Sequence, residues 1–153
     1  MYTYINFFFP LVLGWFFCQV PKVTVMCLKK KPEHFFETLV GSGGMPSTHT
    51  ASTMALVTRI AFVEGFKGPL FSLAVVFAMV TMYDAFNVRL ACGHVTERVN
   101  QLADKLYADD DPEKPEKLKV IKGHTFAEVA VGFCIGVAVG AVYSLVEMHF
   151  TGA

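Results

Sequence analysis

The chain carries no surplus of either charge: Lys and Arg total 13, Asp and Glu total 13, and the formal net charge is zero. Without a basic excess there is no bulk electrostatic pull toward nucleic acid, and no nucleic-acid partner is expected. Cys18, Cys27, Cys92 and Cys134 include no C-x-x-C pair, so the common signature of a thiol redox centre or zinc site is missing. Cys18 and Cys134 lie within apolar runs, and all four cysteines read as packing residues. No internal repeat is found. Residues 1–20 lack a basic n-region and a small-x-small cleavage site, and the first basic residue is Lys22. This stretch is therefore expected to be a retained transmembrane helix.

Apolar residues are what the chain has in abundance. They make up 54% of it, with a mean hydropathy of +0.47. A soluble domain of 153 residues has too small a core to hide that much apolar surface, whereas a bilayer accepts it. Four apolar segments follow one another: residues 4–20, interrupted by Pro10; residues 50–63; residues 69–86; and residues 125–146. A spanning helix needs about 20 residues. The second segment has only 14, so it is expected to be extended by its flanks or sheltered among the others. A short apolar patch at residues 23–28 is expected to be re-entrant or interfacial. The expected fold is an all-α, polytopic membrane helix bundle over residues 1–153, with about four transmembrane helices plus short interfacial helices.

Four spans place both termini and the 64–68 turn on one side, and the 22–47 and 87–123 linkers on the other. Of 13 Lys and Arg, 11 fall on the linker side, so the positive-inside rule puts that face in the cytoplasm. Within the second linker, residues 96–107 have helical spacing, with Val99, Leu102 and Leu106 on one face. The fourth segment carries Gly132, Gly136 and Gly140 at four-residue spacing, which permits close helix approach. That face suits packing inside a tight bundle or a homodimer contact.

Two short stretches share the linker side. Gly43-Gly44-Met45-Pro46-Ser47-Thr48-His49 is a glycine-rich turn entering a helix, where backbone N–H groups and the Ser47 hydroxyl can hold phosphate oxygens. Ser47 is equally suited to be a helix N-cap. In Gly123-His124-Thr125-Phe126-Ala127-Glu128, His124 and Glu128 are four apart and share a helix face. A carboxylate that holds one imidazole nitrogen leaves the other free to attack phosphorus. Asp84, near the end of the third segment, is expected to pair with Arg89 or a lysine, or to bind a cation. Arg89 suits a phosphate site or a positive-inside anchor.

These residues resemble the divergent branch of the type 2 phosphatidic acid phosphatase and vanadium haloperoxidase superfamily. Pro46-Ser47-Thr48-His49 is similar to its P-S-G-H motif, with Thr48 in place of glycine. His124 to Glu128 resembles the end of S-R-x5-H-x3-D, with Glu in place of Asp, while Leu118 stands where that motif has arginine. Lys22 and Lys29 reproduce the spacing of K-x6-R-P, with Lys29 in place of arginine and the proline delayed to Pro32. The stretch from Tyr83-Asp84-Ala85 to Val88-Arg89 is similar to a further feature of the branch. The resemblance implies His124 as nucleophile, Glu128 as its orienting group and His49 as general acid. It implies phosphate contacts from Ser47, Gly44, Thr48, Arg89, Lys22, Lys29 and Lys119, with Asp84 as an additional site residue. It needs no metal and no cofactor. The implied activity is hydrolysis of a lipid phosphomonoester, such as phosphatidylglycerophosphate or phosphatidic acid. Two other classes suit the same residues: a membrane binding or scaffold protein with a degraded phosphatase pocket, and a small lipid or ion transporter.

Overall fold

Ser47 opens the helix around which the rest is arranged. The computed structural model describes residues 5–28, 44–108, 111–121 and 123–151. Helix α1 spans Ile5–Leu28, α2 Thr48–Glu64, α3 Pro69–Tyr83, α4 Arg89–Leu106 and α5 Phe126–Thr151. One π-helical turn, Asp84–Val88, joins α3 to α4 without a break. No strand occurs among the described residues.

Local chemistry sets the boundaries. Ser47 caps α2, its hydroxyl oxygen accepting from the Thr50 N–H. At the other end the Gly65 N–H donates to the Ala61 carbonyl at 3.1 Å, and Gly65 adopts a φ of 75° that few residues other than glycine tolerate. Pro69 then starts α3, where its missing N–H costs nothing. Thr125 and Glu128 form a capping box at α5: the Glu128 N–H donates to Thr125 Oγ1 at 3.4 Å, and the Thr125 N–H donates to Glu128 Oε2 at 2.9 Å.

Helices α1, α3 and α5 are the sides, and α2 is the sheltered centre that packs against all three. Three helical stretches are long and apolar enough to cross a membrane: Asn6–Leu28, Pro69–Leu106 and Phe126–Phe150. At 17 residues α2 is short for a span, but Ala51, Met54, Ala55, Val57 and Ile60 are buried against its neighbours. Protein rather than lipid surrounds it. By contrast Leu73, Val76, Phe77 and Val80 of α3 stay exposed, as a lipid-facing surface requires. The chain is an all-α membrane bundle.

The structure corrects two expectations and decides a third. The patch at residues 23–28 is no separate re-entrant element, because α1 continues through Pro21 to Leu28. The surface helix at 96–107 begins earlier, at Arg89, as a direct extension of α3. Of the two readings of Gly132, Gly136 and Gly140, the structure shows packing inside the bundle rather than a homodimer contact. A Cβ at these positions would stand 2.5 Å from the Ser47 carbonyl oxygen, 2.4 Å from that of Ala51 and 2.6 Å from that of Ala55. The glycine face is already filled by α2 of the same chain, which leaves no surface there for a second copy. Gly136→Leu is therefore expected to force α2 and α5 apart and destabilise the bundle by about 1–3 kcal/mol. Thermal unfolding in detergent, followed by circular dichroism, measures this; an unchanged midpoint would contradict the packing described.

Candidate active site

Three chain segments meet where α2 and α5 begin. The Ser47 N–H donates to the Glu128 carbonyl at 3.1 Å, which ties the start of α2 to the first turn of α5. The His124 N–H donates to the Ala85 carbonyl at 2.9 Å, which ties the entry of α5 to the π turn. Segments far apart in sequence are thus fixed at one end of the bundle.

His124 sits at this junction and is buried, with 1% of its surface exposed. Its Nδ1 lies 3.3 Å from Glu128 Oε2. The same carboxylate oxygen accepts the Thr125 N–H, so the capping box that starts α5 also aims the carboxylate at the imidazole. The other ring nitrogen, Nε2, is buried and has no hydrogen-bond partner among the described residues. A buried ring nitrogen without a partner is uncommon and calls for an explanation. Burial pushes the His124 pKa below its ordinary value, and the positive charge of Lys22 pushes the same way. The hydrogen bond and charge of Glu128 oppose them, while His49 adds a smaller depression.

His49 lies in the first turn of α2 and is exposed. Arg89, Lys22 and Asp84 are near enough to act on its charge. Lys22 belongs to the part of α1 that continues past Pro21, and Cys18 and Glu128 lie in its electrostatic surroundings. Asp84 and Arg89 bracket the π turn and form an ion pair, each roughly two-fifths exposed. The structure therefore brings together His49, His124, Glu128, Lys22, Arg89 and Asp84 from separate elements of the chain.

Other expected residues are placed differently. Ser47 is fully buried, and its hydroxyl accepts from Thr50 Oγ1 at 3.0 Å, so its visible work is the helix cap. Thr48 is buried beside it. Gly44 is exposed at a φ of 77°, with open space where a Cβ would stand. Lys119 is exposed on a return segment that runs beside α4; the neighbouring Leu118 exchanges two 2.9 Å hydrogen bonds with Asn100. Lys29, Pro32 and Gly43 lie outside the described residues.

Sequence reasoning missed the Thr125 cap, although T-x-x-E before an apolar run is its signature. It also missed a buried ion pair at the far end of the bundle, between Arg59 of α2 and Glu147 of α5. The signal was an isolated charge within or just after an apolar segment.

Beside the cluster, an apolar groove of about 500 Å³ opens between α3 and α5. Met82, Phe86, Phe126, Val129, Ala130 and Phe133 are among the side chains that line it. Phe86 of the π turn meets Phe126 edge-to-face, with ring centroids 6.0 Å apart. Phe86 is two residues from Asp84 and Phe126 two from His124, so one end of the groove adjoins the charged cluster.

A polar histidine site at the end of a helical membrane bundle defines the class. The profile of the Divergent PAP2 family matches residues 5–139, and the chain belongs to that family. It is also 34% identical over 131 residues to the uncharacterized membrane protein YuiD of Bacillus subtilis (strain 168), an alignment covering 79% of this chain and 82% of that protein. No solved structure gives a significant match.

Proposed function

We propose that this protein hydrolyses a phosphomonoester carried on a membrane lipid, through a phosphohistidine formed at His124. The observation that carries the reading is the state of its imidazole: Nδ1 is held by Glu128, while Nε2 has no partner among the described residues, and Lys22 and His49 are near enough to act on the ring's charge. Nε2 attacks phosphorus as the ester P–O bond breaks, and His49 donates a proton to the departing alkoxide. Water then attacks the phosphohistidine, His49 accepts its proton, and inorganic phosphate leaves with His124 restored. Lys22 and Arg89 stabilise the charge on the phosphoryl oxygens, with Arg89 exchanging part of its pairing with Asp84 for the substrate. Gly44 and Thr48 add contacts from the turn, and Ser47 acts by ordering the first turn of α2, which carries His49.

The groove between α3 and α5 supports a lipid over a soluble phosphate, because an acyl chain fits apolar walls that begin beside the charged cluster. The excess of Lys and Arg on the linker side supports a cytoplasmic site and hence phosphatidylglycerophosphate or phosphatidic acid as substrate. The test is phosphate release by the purified protein from both lipids with chelator present, together with trapping of an acid-labile phosphoenzyme. No release from any lipid phosphate would end the hydrolase reading. One observation favours a second reading, a binding protein that retains the pocket without turnover: His124 is only 1% exposed. Binding of a lipid phosphate without release of phosphate would favour it.

Two further outcomes are expected. Because burial and Lys22 depress the His124 pKa, its neutral form persists as pH falls past the ordinary value of about 6.5. The acid limb of kcat/KM should therefore lie below that value. Glu128→Gln removes an opposing influence and should move the limb to lower pH, whereas Lys22→Ala should move it higher. The pH profiles of the two variants check the sign. Ala130→Trp, which fills the groove, should raise KM for long-chain lipid phosphates about tenfold while leaving p-nitrophenyl phosphate hydrolysis within about twofold. Equal losses on both substrates would place the chain elsewhere.

A further inference from the structure

The apolar pattern of α4 does not serve the bundle. Val88, Val95, Val99, Leu102 and Leu106 are 43–77% exposed, and Cys92 is exposed with them. Their spacing alternates between four and three residues, which puts them on one narrow stripe of the helix. The opposite side carries the contacts with the return segment. Gly93 approaches the Ile121 backbone, Asn100 bonds to Leu118, and Asp104 pairs with Lys114 at 3.2 Å and Lys117 at 2.9 Å. The return segment thus runs along the polar face and leaves the apolar one without a partner among the described residues.

The π turn aligns this stripe with α3. An unbroken α-helix would continue the lipid-facing line of Leu73, Phe77 and Val80 through residues 84, 87, 91, 94 and 98. The extra residue of one π turn, marked by the Arg89 N–H bonding to the Asp84 carbonyl, advances the line to 88, 92, 95, 99, 102 and 106. Those are the stripe positions. The 20 residues from Pro69 to Val88 also rise about 30 Å, the thickness of the hydrocarbon core, so α4 begins at headgroup level.

Charges on α4 are sorted about the stripe. Arg89, Arg98 and Lys105 lie at its two borders, about 90° from its centre at 100° per residue, whereas Glu97 and Asp104 lie opposite it. Long basic side chains at the edge of an apolar face can reach lipid phosphates while their stems stay in the acyl boundary. A second copy packed on the same stripe would meet Arg98 and Lys105 with no acidic residue at the flanking positions to receive them.

We propose that the π turn, a common site of helix bending, turns α4 away from the axis of α3, so that α4 and its return segment form a paddle whose Val88–Leu106 stripe lies in the headgroup–acyl boundary of an anionic bilayer, on the same side as the lipid-facing surface of α3. The experiment places single tryptophans in a Trp15→Phe background, in vesicles of phosphatidylethanolamine and phosphatidylglycerol with brominated acyl chains. Val99→Trp on the stripe should be quenched at least half as strongly as Phe77→Trp on α3, and Gln101→Trp on the polar side should be quenched little. Equal weak quenching at residues 99 and 101 would overturn the proposal. So would efficient disulfide formation between copies carrying Val95→Cys with Cys27, Cys92 and Cys134 replaced by serine, which would assign the stripe to a second copy. Circular dichroism of each variant confirms that the comparison is made on folded protein.

Discussion

His124→Ala is expected to abolish phosphate release from lipid phosphates, with kcat falling at least about a thousandfold. The loss should be greater than for any other single residue of the cluster, because Nε2 is the atom that bonds to phosphorus in the proposed reaction. The fold should survive, since Nε2 has no partner among the described residues and the capping box of Thr125 and Glu128 does not require the imidazole. His49→Ala is a useful comparison. Removal of a general acid costs about 10²–10⁴-fold, and the deficit should shrink for p-nitrophenyl phosphate, whose leaving group departs without a proton. His124→Ala should be inactive on both substrates. Phosphate release that persists in His124→Ala and yields no trapped phosphoenzyme in the wild type would remove the phosphohistidine route.

Glu147→Ala is expected to be the most destabilising change at a distance from the site, by about 3–5 kcal/mol. Arg59 is 2% exposed and its guanidinium pairs with Glu147, 19% exposed, across the α2–α5 contact. The guanidinium carbon also lies 5.9 Å from the ring centre of Phe7 and 5.4 Å from that of Tyr143. Removing the carboxylate takes the Glu147 counter-charge away from a guanidinium that is 2% exposed. The double variant Arg59→Met, Glu147→Leu should recover most of the loss, because apolar side chains of similar volume remove the cost of burying charge. Unfolding midpoints of the single and double variants decide the point. A single variant as stable as the wild type would show that the pair contributes nothing.

The candidate site was legible in part. His49, His124 and Glu128 stood out because a histidine beside a glycine-rich turn and a His-x-x-x-Glu pair, each common alone, fall on the same basic linker side. Their proximity was not legible, since spacing along a chain does not say which helix ends meet. Lys22 was named from a motif spacing, but its place near both histidines follows from the continuation of α1 through Pro21. Ser47 suited two roles equally in sequence, and its burial against α5 brings forward the cap. The glycine line of α5 likewise suited two partners, and only the packed bundle assigns it to α2.

By itself the sequence determined the solvent, the helical class and the approximate segments, because an apolar run of sufficient length has few ways to satisfy its backbone outside a membrane helix. It also determined the local caps, which depend on residues three or four apart. Tertiary structure decided which helix is sheltered, which faces receive the glycines, and which charges surround His124. Those outcomes depend on contacts between residues far apart in the chain. The π turn belongs with them: the apolar residues on both sides of it are plain in the sequence, but the added residue that brings their faces into one line is a property of the folded backbone.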